Sequence, residues 1–184
     1  MVDKLIAPND AVGPLGDDEW LNRVIYDPEH VDENGNVAPA AFPTEDLRKR
    51  GVSVNRDFVI ADVVEALVKL NMAALPEQRK SAMVGKLLTK NIRDARAIVP
   101  HLPVPKGQKA APAPLMTATE SPQPATPPMP ANPAHADIRS LHGGESWLKK
   151  LRTEYLVPMC SKPVAVQEFI KGLSKPSPLA KKPG

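Results

Sequence analysis

Leu21-Asn22-Arg23-Val24-Ile25-Tyr26 carries β-branched and aromatic residues at the density of a strand, and Asp27-Pro28 closes it. What surrounds it decides the fold class. Asn34-Gly35 is a turn signal, because glycine accepts the positive φ of a type I′ turn, and Val37 to Phe42 reads as an extended return ending at Pro43. Thr44 is placed to cap a helical turn reaching Arg50, stopped by Gly51. Val52-Ser53-Val54 reads as a second short strand. Asp62 suits an N-cap, Glu65 occupies the reciprocal capping-box position, and Val63, Val64, Leu67 and Leu70 form one apolar stripe, so the spacing predicts a helix. Short strands followed by a helix predict an α+β domain.

Residues 81–99 fit two patterns. Leu88, Ile92, Ala95 and Val99 keep a helical spacing, but Gly85 weakens that helix. A strand from Ala82 to Leu87, then a short helix capped by Thr89, is the preferred reading.

Eleven of the 22 prolines fall between residues 100 and 133, mixed with Ala, Thr, Ser and Gln. Proline lacks an N–H and fixes φ, so the composition predicts an extended, disordered spacer over 100–131. Beyond it, Ser146 is placed to cap a helix with Trp147, Leu148, Leu151 and Tyr155 on one side, and Val166, Phe169, Ile170 and Leu173 form a second stripe. The organisation expected is a loose arm (1–18), a domain (19–99), the spacer, an amphipathic helical tail (145–174) and a disordered basic end (175–184).

The single cysteine, Cys160, excludes a disulfide framework and a Cys-rich zinc site, and its setting, Val157-Pro158-Met159-Cys160, offers nothing to stabilise a thiolate. The start, Met1-Val2-Asp3-Lys4-Leu5-Ile6, has no apolar run of signal-peptide length, and no stretch approaches the ~20 apolar residues of a membrane span, so a cytoplasmic location is expected. No Walker loop, dinucleotide fingerprint, HExxH or nucleophile elbow occurs. The acidic stretch from Asp27 to Asn36 is not an EF-hand, because alignment on Gly35 puts Ala41 where the bidentate Glu belongs. His30, His101, His135 and His142 lack metal-ligand spacing, so neither a metal nor a cofactor is expected. The net charge of +3 conceals an acidic first third and a basic remainder, a distribution compatible with nucleic acid, an acidic partner or mutual neutralisation.

Arg23, Asn34-Gly35-Asn36-Val37, Ala41-Phe42, Gly51-Val52-Ser53-Val54, Ile92-Arg93 and Asn132-Pro133-Ala134-His135-Ala136 occur in an order that resembles a class of small bacterial proteins without an established activity. The resemblance implies that residues 132–144 return to the first domain, with the proline-rich run inserted inside it. It also implies that Arg23, Ser53, Arg93 and His135 converge on one face, and it associates the chain with bacterial conflict or defence systems.

Three functions follow as expectations. The first is a non-enzymatic accessory or adaptor protein that docks a larger protein partner through Trp147, Leu151, Tyr155, Val166, Phe169, Ile170 and Leu173. The second is a small hydrolase or nuclease in which His135 serves as acid or base while Arg23 and Arg93 stabilise charge. The third is nucleic-acid binding through the basic C-terminal half.

Overall fold

The computed structural model describes residues 13–173. Its strands are β1 (Trp20–Pro28), β2 (Val52–Arg56), β3 (Arg79–Leu88), β4 (Arg96–Ala97), β5 (Ala113–Pro114), β6 (Met116–Glu120), β7 (His135–Ser140) and β8 (Val164–Ala165). Six of them make one antiparallel sheet in the order β6-β7-β2-β1-β3-β8, while β4 and β5 pair separately. The helices are α1 (Thr44–Arg48), α2 (Ala61–Ala74), α3 (Thr89–Asp94) and α4 (Glu145–Leu151), which continues through a π turn (Arg152–Leu156) into α5 (Val157–Met159), and lastly α6 (Val166–Leu173). The fold is α+β, as the sequence predicts. Among the described residues no helix is long and apolar enough to cross a membrane.

Side-chain alternation along the strands separates two cores. Leu21, Ile25, Val52, Val54, Leu87, Ala136 and Ile138 face Leu47 of α1, Ile92 of α3 and Leu148 and Leu151 of α4. Tyr26, Ala82 and Val84 face Val63 and Val64 of α2 and Val166 and Phe169 of α6. Helices thus pack on both sides of the sheet, on the α2 side over its β1–β3 half.

The strand-then-helix reading of residues 81–99 matches β3 and α3, although the Thr89 hydroxyl donates to the Glu19 carbonyl instead of capping. Other local expectations are corrected. At Asn34-Gly35 only Gly35 has positive φ (75°), and Asp32 organises the loop by accepting from the Asn34 and Asn36 N–H groups, so no type I′ turn forms. The extended return is replaced after Val37 by a 3₁₀ turn at Pro39–Ala41. Pro43, Ile60 and Gly144 occupy the N-cap positions expected for Thr44, Asp62 and Ser146, and none of them caps through a side chain. Thr44 donates to Glu145, tying α1 to α4.

The largest correction concerns residues 100–131. They do not form a disordered spacer throughout: β5 and β6 lie inside the segment, and β6 pairs with β7 from Met116–Ser140 to Glu120–Ala136. Leu115, Met116 and Ala118 are buried in the larger core. Met116–Glu120 contains no proline, and β6 is an edge strand, where prolines flanking the ladder cost no shared hydrogen bond. Further along, mutual backbone bonds between Gln123 and Asn132 and between Thr126 and Met129 close the loop that returns to β7. The expected arm is partly docked as well, because Arg56 donates to the Gly13 carbonyl and clamps Glu19 bidentately at 2.5 and 2.7 Å. Residues 1–12 of that arm, Ser174 of the expected tail and the expected basic end at 175–184 lie outside the described residues.

Candidate functional site

β1 and β2 pair only at Leu21–Arg56 and Asn22–Asn55, whereas on its other edge β1 follows β3 from Trp20 to Pro28. Beyond Asn22 the two central strands fork. Exposed backbone acceptors at such a fork need donors, and Arg23 supplies them: Nη1 donates to the Ser53 carbonyl at 2.7 Å and Nε to the Ala41 carbonyl at 3.1 Å. The fork opens into a cleft of about 380 Å³ walled by β1, β2, α2 and the segment before α1.

The cleft is polar for a reason visible in the register. On the helix α2 side of the sheet, alternation places Ser53 and Asn55 of β2 opposite Asp137 and His135 of β7. Helix α2 covers the β1–β3 half of that face and reaches the cleft with Leu67 and Asn71, so the β2–β7 half keeps polar side chains. A second, adjoining hollow shares Asp46, Ser53, Gln123 and His135 with the first and adds Asp137.

His135 is committed on both ring nitrogens. Nδ1 lies 2.8 Å from the Ser121 carbonyl, which only accepts, so Nδ1 carries the proton. Nε2 then accepts from the Gln123 side-chain amide at 3.1 Å. The imidazole thereby pins the loop after β6 onto β7.

On the opposite wall Arg79 spends its guanidinium on Glu29 (Nε–Oε2 2.5 Å) and on the Asn71 carbonyl and side chain, and stands 4.7 Å over the Tyr26 ring. The Arg79 hydrogen bond holds the Glu29 carboxyl below its usual range. His30, 5% exposed, accepts from the Tyr26 N–H through Nδ1, and burial drives its pKa down to about 4, the attraction of Glu29 notwithstanding. Burial likewise raises the Tyr26 hydroxyl and lowers Arg23.

Of the four residues expected to converge, Arg23, Ser53 and His135 line one cleft. Arg93 does not. It donates to the Leu15 and Ala118 carbonyls and to Asp17, bracing the arm against β6. Cys160 packs against β3 where Gly85 leaves room, since a Cβ at residue 85 would stand 2.6 Å from its Sγ. Burial pushes the Cys160 thiol up to about 12. In the native protein a disulfide reagent at pH 8 is expected to modify it on the order of a thousandfold more slowly than in urea. Equal rates would show a thiol that is not enclosed.

The expected docking stripe is turned inward. Trp147 and Leu151 are buried in the larger core, with Tyr155 packed against it. Val166 and Phe169 are buried in the smaller core, with Ile170 and Leu173 against it. An amphipathic pattern does not say which surface its apolar face meets, and here it meets the chain's own sheet.

Sequence reading missed Asn55, Asn71, Glu29 and Arg79. Asn55 was within reach, since period-two alternation from Ser53 puts both on one face. Arg79 and Glu29 are joined only by tertiary folding. Among the described residues no group of three or more His, Cys, Asp or Glu is placed to hold a metal ion. No protein-family model, curated protein or solved structure matches this chain.

Proposed function

We propose that this chain is a non-enzymatic accessory protein that docks a larger protein partner, and that the fork cleft, not the C-terminal helices, is its recognition element. The observation that carries this reading is the state of the cleft's proton-transfer groups. Both ring nitrogens of His135 are engaged in hydrogen bonds, and His30 is held neutral by burial. What the cleft retains are groups suited to holding a ligand: the Arg23 guanidinium, the Asn55 amide and the Ser53 hydroxyl. Hydrolysis by His135 with Arg23 and Arg93 is less well supported, because Arg93 is engaged elsewhere. A role in bacterial conflict or defence rests on the resemblance alone.

The test is affinity capture from the native cell with the wild-type chain and with Arg23→Gln, both checked for cooperative unfolding. A stoichiometric protein retained by the wild type and lost by the variant supports docking at the fork. A partner held equally by both moves the interface elsewhere, and an empty wild-type capture removes the adaptor reading.

A further inference from the structure

Two arginines line the fork cleft, and their circumstances differ. Arg79 is neutralised by Glu29, with Nε, Nη1 and Nη2 all bonded. Arg23 forms no ion pair with any carboxylate among the described residues. Its bonds go to two neutral carbonyls from Nε and Nη1, and Nη2 has no acceptor there. Asp46, the acidic group across the cleft, is paired with Arg50 at 2.9 Å. Arg23 is therefore left without a carboxylate in contact, and Asp46 acts on it only through its field across the cleft.

The neighbouring polar groups are donors too. Asn55 is 5% exposed, and its Oδ1 accepts from the Asn132 amide at 2.7 Å. That bond orients the Asn55 side chain so that Nδ2 must find an acceptor elsewhere, and no described residue supplies one. The Ser53 hydroxyl is in the same position. Arg23, Ser53 and Asn55 all line the cleft, and Arg23 already touches the Ser53 backbone. Donors with no acceptor among the described residues, lining a partly buried cleft beside a cation, suit an anion with several acceptor lone pairs.

Charge then chooses among anions. A carboxylate carries one negative charge and cancels that of Arg23. A phosphate dianion would bring a second charge beside Glu29 and Asp46, with no unpaired cation to meet it.

We propose that the fork between β1 and β2 is a carboxylate-binding subsite, in which Arg23 Nη2, Asn55 Nδ2 and the Ser53 hydroxyl receive the side chain of a partner's glutamate or aspartate. The inference rests on the docking reading above and names the group that the partner contributes.

The experiment uses the full chain and three probes: N-acetylglutamic acid α-amide, its neutral isostere N-acetylglutamine α-amide, and orthophosphate. Binding is followed by NMR through the Asn55 side-chain amide and the Arg23 Nε–H signals. The acid is expected to bind at least about tenfold more tightly than the amide, as hydrogen bonds to a charged group require, and no more weakly than phosphate. Arg23→Gln should abolish the preference. If that variant fails to fold, Ser53→Ala, at an exposed position, should weaken the acid selectively, and the acid–amide comparison in the wild type needs no variant at all. Equal binding of acid and amide, tighter binding of phosphate, shifts confined to signals outside the cleft, or no saturable shift up to about 100 mM acid would each overturn the proposal. Acid binding without any captured partner sinks the docking reading and leaves the subsite standing. Partner capture unaffected by excess acid sinks the subsite and leaves docking standing.

Discussion

Truncating Leu115 to alanine is expected to lower the stability of this protein by about 3 kcal/mol, within the 2–5 kcal/mol typical of buried leucines. The residue sits in a proline-rich run between Pro114 and Met116, where composition alone predicts no cost. Its side chain is nevertheless fully enclosed, between the edge strand β6 and the core under α4. Both the lost transfer free energy and the cavity left behind act against the variant. Val104→Ala is the internal control. That valine is 46% exposed in the same run, and its loss should change stability by less than about 0.5 kcal/mol. Urea midpoints at constant m-value decide the matter. If Leu115→Ala is as silent as Val104→Ala, residues 113–120 are not part of the cooperative unit.

Acidification from pH 6.5 to pH 4 is expected to remove about 3 kcal/mol of stability through His30 alone, at 1.36 kcal/mol per unit of pKa difference. The unfolded chain takes up a proton near the ordinary value of 6.5, while the folded chain resists it down to about 4. Stability from this source is fully present above pH 6.5 and is lost as the pH falls through that window. The cause is burial of the imidazole beneath Tyr26, reinforced by the arginines at the fork, with Glu29 opposing them. Glu29 adds a loss of the same sign below its own ordinary value of 4.5, because the Arg79 bond keeps it ionised in the folded state. His30→Asn keeps a polar group near the Tyr26 N–H and removes the titration. Its stability should therefore fall less between pH 6.5 and 4.5 than that of the wild type. Parallel pH profiles would show that His30 is protonated without penalty.

The two predictions lie on different links of the same argument. Leu115 tests whether the proline-rich run folds. His30 tests whether the wall of the cleft is as closed to protons as its geometry requires. Should His30 titrate normally, the case against acid–base chemistry at the fork weakens, and His135 would warrant a search for activity.

Local chemistry was legible at the strands and at the longer helix. Leu21 to Tyr26, the Ser53 strand, helix α2 with Val63, Val64 and Leu67 inward, and the β3–α3 succession follow from side-chain period and breaker residues, which act over a few neighbours in the chain. Leu70 of the expected stripe is exposed, however. Caps were not legible, because Thr44, Asp62 and Ser146 have competing partners or sit one or two places inside the helix. Nor was the fate of the amphipathic tail. Trp147 and Phe169 needed a surface to cover, and periodicity alone does not distinguish a partner's groove from the chain's own sheet.

Residue pattern alone was enough for the α+β class and the main elements, while Arg23, Ser53 and His135 were grouped only by the resemblance, which also included Arg93. That residues 116–120 join the sheet emerges only from packing, since an edge strand tolerates proline neighbours that a central strand would not. Packing also placed Arg93 away from the cleft and set Arg79 against Glu29, while leaving Arg23 without a carboxylate in contact. Those outcomes depend on which strands become neighbours. Strand neighbours are chosen by burial summed over the whole sheet, a quantity no short window of sequence contains.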